Sequence, residues 1–239
     1  MEKSEIPNSI FENEYSALVI GATGAIGGAF VDAFSNDRNC QRVEKISRKL
    51  NPGFNLLDEK SIEHHAEISR PFGPYQIIID ATGVLNIDSI GPEKSLSSVR
   101  RNTVTKSFEI NAVGPLLILK YFSPLLASGP SIYAKLSARV GSISDNKKGG
   151  WYGYRAAKAA LNMYLQTASI ELQRKNPSLH VVALQPGTVR SPLSEPFVGA
   201  NVNLLTPEES VDGMLNVLKN LRLKAGAQFI DYKGQHIDW

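Results

Sequence analysis

Cysteine is nearly missing from this chain of 239 residues: Cys40 stands alone, which excludes an internal disulfide framework and any cysteine-built zinc site. Histidine is little better represented. His64, His65, His180 and His236 form no ligand spacing, and the adjacent pair would diverge by about 100° on a helix, so no metal is expected. An excess of one charge is also absent, because 26 Lys and Arg against 23 Asp and Glu leave only +3, too little and too evenly spread to serve nucleic acid. There is no run of about 18 apolar residues to span a bilayer, and Met1 to Glu14 lacks the apolar centre of a secretory signal. The expectation is a cytoplasmic protein with neither membrane nor nucleic-acid partner. Repeats, linkers and shifts of composition are lacking too. What remains is 42% hydrophobic and 21% charged, ordinary globular values that suit one large domain.

Short β-rich runs recur at 15–20, 42–47, 75–81, 130–137, 179–185 and 228–232, with helical patterns at 24–36, 58–69, 103–128, 152–175 and 206–224. That alternation predicts a parallel sheet with crossover helices. Consecutive apolar residues, as in Leu18-Val19-Ile20 and Ile77-Ile78-Ile79, suit strands covered on both faces, so the fold class is α/β with a doubly wound sheet. A further short strand at 54–57 is an even choice after Pro52-Gly53. Residues 1–14 read as an N-terminal extension and 15–239 as a dinucleotide-binding Rossmann domain with its substrate loops. The loops 86–95, 141–151 and 187–205 follow predicted strands and should border the site, since ligands of open parallel sheets sit beyond the strands' carboxyl ends.

The first strand runs into Gly21-Ala22-Thr23-Gly24-Ala25-Ile26-Gly27, a glycine turn opening a helix. Glycine tolerates positive φ and lets backbone N–H groups approach a pyrophosphate, while the helix N-terminus adds partial positive charge. Glycine triplets alone are often plain turns; the strand–turn–helix context makes this one a dinucleotide site. At the end of the second strand Ser47 stands where an acid would hold the ribose hydroxyl of NAD, and Arg48 can fork onto the 2′-phosphate of NADP. A solvated basic loop is the bland alternative. NADP(H) is the expected cofactor, with NAD(H) as the alternative.

Tyr154 and Lys158 lie four residues apart on a predicted helix, which puts phenol and ammonium on one face. A neighbouring cation lowers a phenol's pKa and makes it usable as an acid or base. The spacing is common by chance and gains weight from three further features. Pro115 lacks the N–H that the Asn111 carbonyl would accept, which should kink that helix and free a carbonyl to hold water. Pro186-Gly187-Thr188-Val189 follows a strand as a turn where a carboxamide could meet the backbone. Asp80-Ala81-Thr82-Gly83 ends another strand in small residues, as suits a cofactor lying against the sheet edge.

On these residues the chain resembles the short-chain dehydrogenase/reductase family, most of all its branch of C-factor-like and sniffer-like carbonyl reductases. The resemblance covers residues 16–239 and rests on Gly21 to Gly27, Ala81-Thr82-Gly83, Asn111, Tyr154 with Lys158, and Pro186-Gly187. It extends to Gly141-Ser142-Ile143-Ser144-Asp145-Asn146 and Gly149-Gly150-Trp151-Tyr152-Gly153-Tyr154. It implies a seven-stranded parallel sheet, a homodimer or homotetramer, and hydride transfer between NAD(P) and a small carbonyl or alcohol. It further implies that Tyr154 exchanges the substrate proton, that Lys158 binds the nicotinamide ribose and lowers the pKa of Tyr154, and that Asn111 keeps a water-linked relay to Lys158.

The chain departs from the family in a glycine motif shorter by one residue and, more seriously, in Ala138 at the place of the catalytic serine. Ser137 has the wrong strand parity, and Ser142 lies in the following loop, so Ser142 is the preferred replacement and Ser137 the alternative. The leading function is an NADP-dependent oxidoreductase of small carbonyls. The rival is a catalytically weak NAD(P)-binding protein of the same fold with a signalling or assembly role. An epimerase or dehydratase is disfavoured, because the chain lacks the extra substrate domain that larger members carry.

Overall fold

The computed structural model describes residues 10–191 and 204–239. Among them, six strands form one wholly parallel sheet: β1 Tyr15–Ile20, β2 Cys40–Ile46, β3 Ile77–Asp80, β4 Ser131–Leu136, β5 Leu179–Gln185 and β6 Gln228–Asp231, in the order β2-β1-β3-β4-β5-β6. The helices are α1 Ala25–Ser35, α2 Glu59–Ser69, α3 Arg101–Phe108, α4 Gly114–Phe122, α5 Tyr152–Lys175 and α6 Pro207–Lys219. This is the doubly wound Rossmann-like architecture, and the strand order reverses between β1 and β3.

Alternation along the strands divides the core in two. Ala17, Val19, Ile77 and Ile79 pack on one face with α1 and α6, through Phe30, Phe34 and Met214. Leu18, Ile20, Ile78 and Tyr133 pack on the other with α2, α4 and α5, through Ile62, Phe122 and Leu161. Side chains of this size each contribute about 1.5 to 3 kcal/mol when fully buried. Both faces are thus closed, and function is left to the ends of the strands.

Three expectations are corrected. The sheet has six strands among the described residues rather than seven. Residues 54–57 form no strand; two turn hydrogen bonds, Asn51 N–H to Ser47 O and Phe54 N–H to Asn51 O, curl the chain so that Phe54 plugs the core. The helix expected at 103–128 is α3 and α4 joined by a π-helical stretch, Glu109–Val113, in which the Gly114 N–H reaches back to Glu109 O. Pro115 cannot supply the N–H at its own position, and the ladder widens by one residue where a kink was expected.

Ile10–Glu12 makes one 3-10 turn with Ile10 and Phe11 buried, held by an Asn39 side-chain N–H to Phe11 O. Residues 1–9, and 192–203 of the loop expected at 187–205, lie outside the described residues.

Candidate active site

The carboxyl ends of β1, β3, β4 and β5 present four pieces of backbone and side chain. At β1, Gly21 adopts φ +87°, and a Cβ there would stand 3.0 Å from the Ala81 carbonyl carbon. A Cβ on Gly27 would come within 2.2 Å of Gly21 O, so only glycine lets α1 sit this close to the turn. Thr23, Gly24 and Ala25 are exposed, Ile26 is partly buried, and no side chain caps the first turn of α1. Unspent N–H groups at an open helix N-terminus are what a pyrophosphate requires, so these residues fit a dinucleotide.

β2 ends beside this turn, since the N–H groups of Gly21 and Ala22 both donate to Ile46 O. Ser47 is buried, its Oγ accepting the Leu50 N–H, whereas Arg48 is exposed next to it. At β5, Gly187 adopts φ +79° against Leu205 and Tyr232, the Ser210 hydroxyl donates to Pro186 O, and Val189 pairs with Leu205. The turn at 186–189 is therefore fixed by contacts on both sides.

Tyr154 and Lys158 occupy the first turns of α5. That end is anchored from outside the helix: the buried Glu93 accepts the Trp151 N–H on its carbonyl and the Gly153 N–H on its carboxylate. A carboxylate at a helix N-terminus is favoured by the helix dipole. Arg155 ties the preceding loop down by donating to the carbonyls of Val140, Gly149 and Gly150. Gly141 permits close packing, because a Cβ there would lie 2.8 Å from the Lys158 Cβ.

The Lys158 ammonium lies 5.7 Å from the Tyr154 ring and donates to Leu136 O at 3.0 Å. Burial and the nearby Lys135 charge push Lys158 down to about 7. Burial also pushes Tyr154 up to about 12, the opposite of the lowering expected from an adjacent cation, because desolvation of the phenolate outweighs any help from Lys158.

Across from this pair stand Asn111 and Gly83. Asn111 Oδ1 accepts the Val84 N–H at 2.9 Å, and a Cβ on Gly83, at φ +146°, would lie 3.1 Å from that oxygen and 3.7 Å from Lys158 Nζ. The structure thus brings Asn111, Gly83, Tyr154 and Lys158 together. Ala81 and Thr82 sit one step back, between this group and the glycine turn.

The two candidate serines differ in what their hydroxyls already do. Ser137 donates its proton to Asn162 Oδ1 at 2.6 Å, in the core between β4 and α5. Ser142 accepts the Asp145 N–H and lies 3.2 Å from the Ser144 hydroxyl. Ser144 gives its own proton to Trp239 O, so Ser142 donates to Ser144; that 3.2 Å bond to a neighbouring hydroxyl is looser than the 2.6 Å bond in which Ser137 spends its proton.

Two residues escaped the sequence reading. Glu93, above, left no local signal. Lys135 did: a lysine within Ser131–Leu136, opposite Asp80 in the β3–β4 register, is a charge in a strand otherwise read as core. The pair is wholly buried at 3.1 Å.

Two cavities adjoin the site. A narrow cleft beside Tyr154 is walled by Leu85, Ile87, Ile90, Pro92 and Ser107. A larger one of about 360 Å³ lies beyond β5 and β6, among Arg139, Gln185, Thr188, Asp231, Lys233 and Gln235. Among the described residues no group of three or more His, Cys, Asp or Glu side chains could hold a metal, and no helix is long and apolar enough to cross a membrane.

A glycine turn on the first strand of a doubly wound sheet, with a half-buried Tyr154 beside the buried Lys158 at the far strand ends, defines a dinucleotide-dependent oxidoreductase. The chain belongs to the short-chain dehydrogenase/reductase family, whose model (short chain dehydrogenase) matches residues 16–200. It is 29% identical to 1-hydroxy-2-glutathionyl-2-methyl-3-butene dehydrogenase of Rhodococcus sp. (strain AD45), over 80% of either chain. It is 33% identical to C-signal of Myxococcus xanthus, over 70% of this chain and 94% of that one. In fold it is similar to the NADPH-bound carbonyl reductase from chicken fatty liver (TM-score 0.81, 23% identity, 95% of each chain). It is likewise similar to carbonyl reductase Sniffer of D. melanogaster (TM-score 0.81, 20% identity, 95% of this chain and 100% of that one). The protein is therefore a short-chain dehydrogenase/reductase that uses a nicotinamide cofactor on small substrates.

Proposed function

We propose that the protein is an NADP(H)-dependent reductase of small carbonyl compounds. The observation that carries this reading is the Tyr154–Lys158 pair facing Gly83 and Asn111, one strand-end away from the glycine turn. When bound, the nicotinamide supplies the hydride that adds to the carbonyl carbon. Tyr154 gives its phenolic proton to the carbonyl oxygen, and Lys158, with two donors beyond its bond to Leu136 O, holds the ribose and helps return the proton. Ser142, by turning its hydroxyl from Ser144 toward the substrate oxygen, takes the place of the serine absent at Ala138. Ser47 and Arg48 support NADP(H) over NAD(H), since a buried serine offers no carboxylate to repel a 2′-phosphate and Arg48 lies free to pair with it.

The Rhodococcus relative is named as a dehydrogenase of a hydroxylated compound, which agrees with chemistry at a carbonyl or alcohol. The rival reading, a weakly catalytic nucleotide-binding protein, is favoured by Ala138 together with the spent hydroxyl of Ser137. NADPH and NADH oxidation against aldehydes, ketones and quinones separates the two. Turnover preferring NADPH is expected, and tight NADPH binding without turnover on any carbonyl would favour the rival. The compartment in this reading is the cytoplasm, and the working form a homodimer or homotetramer.

A further inference from the structure

Lys135 is a fully buried lysine, and the proposed proton transfer gives it no task. It lies on β4 directly opposite Asp80 on β3, with both side chains fully enclosed. Its ammonium reaches four oxygens: Asp80 Oδ1 at 3.1 Å, Asp80 O at 3.3 Å, Thr82 O at 2.5 Å and Thr82 Oγ1 at 3.2 Å. The Asp80 carboxylate in turn accepts the Thr82 N–H at 2.9 Å and the Thr82 hydroxyl at 2.6 Å. Asp80, Thr82 and Lys135 are thus tied into one knot at the root of the turn that leaves β3.

Such a knot is an expensive way to end a strand, because two buried charges are often no more stabilising than apolar residues of the same size. What it fixes lies immediately downstream. Gly83 follows Thr82 and stands against both Asn111 Oδ1 and Lys158 Nζ, and Val84 donates to Asn111 Oδ1. From the other side, Lys158 donates to Leu136 O, the residue after Lys135. Lys158 is therefore seated between the two strand ends that the knot joins.

We propose that Lys135, paired with Asp80, is a positioning residue for the Tyr154–Lys158 pair: it fixes the Thr82–Val84 turn on which Asn111 and Lys158 are seated, and it sets a second positive charge across Thr82–Gly83 from the Lys158 ammonium. The inference rests on the reading of Lys158 as a ligand of the cofactor. The charged groups acting on Lys158 are Lys135 on β4, which drives its proton off, and Asp80 on β3, which holds it; Tyr154 is the titratable neighbour on α5. Asn111, Gly83, Gly141 and Leu136, the other contacts described, are uncharged. A lysine held close to neutrality passes protons readily in both directions, which a fully charged ammonium does not.

The two members of the knot act on Lys158 with opposite sign, and damage to the fold alone would not produce that pattern. The test follows the Lys158 titration in the cofactor-free protein by NMR of ¹³Cε-labelled lysine, assigned by the signal lost in Lys158→Met. Lys135→Met should move the midpoint up by about 1 pH unit and Asp80→Asn should move it down, while both weaken NADPH severalfold in a fluorescence titration. The double variant Lys135→Met with Asp80→Asn leaves no unpaired charge. Because Lys135 acts more strongly than Asp80, the double variant should shift the midpoint up, by less than Lys135→Met alone. It also decides the matter if either single variant fails to fold. Shifts of the same sign in both single variants, or an unmoved midpoint in the double variant, would overturn the proposal. Wild-type protein that titrates as expected but reduces no carbonyl would instead count against the proposed function and leave this inference standing.

Discussion

The nucleotide end of the sheet and its catalytic end are built from different material. Around β1, α1 and β2 the working groups are backbone: positive φ at Gly21, close approach at Gly27 and open N–H groups at the start of α1. Around β4 and α5 they are side chains, with Tyr154 and Lys158 on a helix whose entry is fixed by the side chains of Glu93 and Arg155. A site made of backbone tolerates any residue that keeps the path of the chain. A site made of side chains depends on single functional groups, and should fail one group at a time.

The largest expected effect therefore lies at the catalytic end. Tyr154→Phe should keep NADPH affinity and lose about 10²- to 10⁴-fold in kcat, the worth of a positioned general acid. Tyr152, exposed and followed four residues on by Ala156, should tolerate the same change. If Tyr152→Phe were the crippled variant, the assignment of the helix face would be wrong.

Next in size is the hydroxyl of Ser142, proposed to stand in for a serine at Ala138. Ser142→Ala should cost about 10²- to 10³-fold in kcat, as loss of one oxyanion donor does. Ala138→Ser should change little while Ser142 acts. Comparing kcat for Ser142→Ala, Ser137→Ala and Ala138→Ser in one background checks this. An inert Ser142→Ala beside an impaired Ser137→Ala would reverse the assignment.

At the nucleotide end, Arg48→Ala should weaken NADPH by about 10- to 150-fold, from the loss of about 1.5 to 3 kcal/mol of charge-assisted bonding, and leave NADH nearly unchanged. Gly27→Ala offers the contrast, because its methyl group would collide with Gly21 O and shift α1. It should weaken both cofactors alike and destabilise the fold by about 1 to 3 kcal/mol. Isothermal titration with both cofactors and denaturant unfolding separate the two kinds of damage.

The smallest effect is on stability. Burial lowers Lys158 from an ordinary value of 10.5 to about 7, so between those values the unfolded chain holds a proton that the folded chain has released. Stability should then rise with pH through that window and fall as pH drops toward 7. Lys158→Met should flatten the rise between about pH 7.5 and 9.5 in urea unfolding. An unchanged slope would mean that Lys158 stays charged in the folded protein.

Much of the fold could be read directly, because consecutive apolar residues such as Ile77-Ile78-Ile79 leave no choice but a strand covered on both faces. The glycine turn was legible for the same local reason, as was the pairing of Tyr154 with Lys158, which needs only the pitch of one helix. Residues 54–57 misled, since Phe54, Leu56 and Leu57 in so short a run suit a strand and a plug in a curled loop equally well. The π-helical stretch at Glu109–Val113 was half legible: Pro115 announced a break in the ladder without saying whether the helix would bend or widen.

The sequence by itself determined the alternation of strands and helices, the glycine turn and the helical face that carries Tyr154 and Lys158, because each depends on residues within a few positions of one another. Only the tertiary structure decided that Ser137 spends its proton on Asn162, that Glu93 anchors the start of α5 from 60 residues away, and that Lys135 meets Asp80 across two strands. The physical reason is that hydrogen bonding and charge pairing in the core depend on what packing brings together, and strands far apart in the chain become neighbours only when the sheet closes.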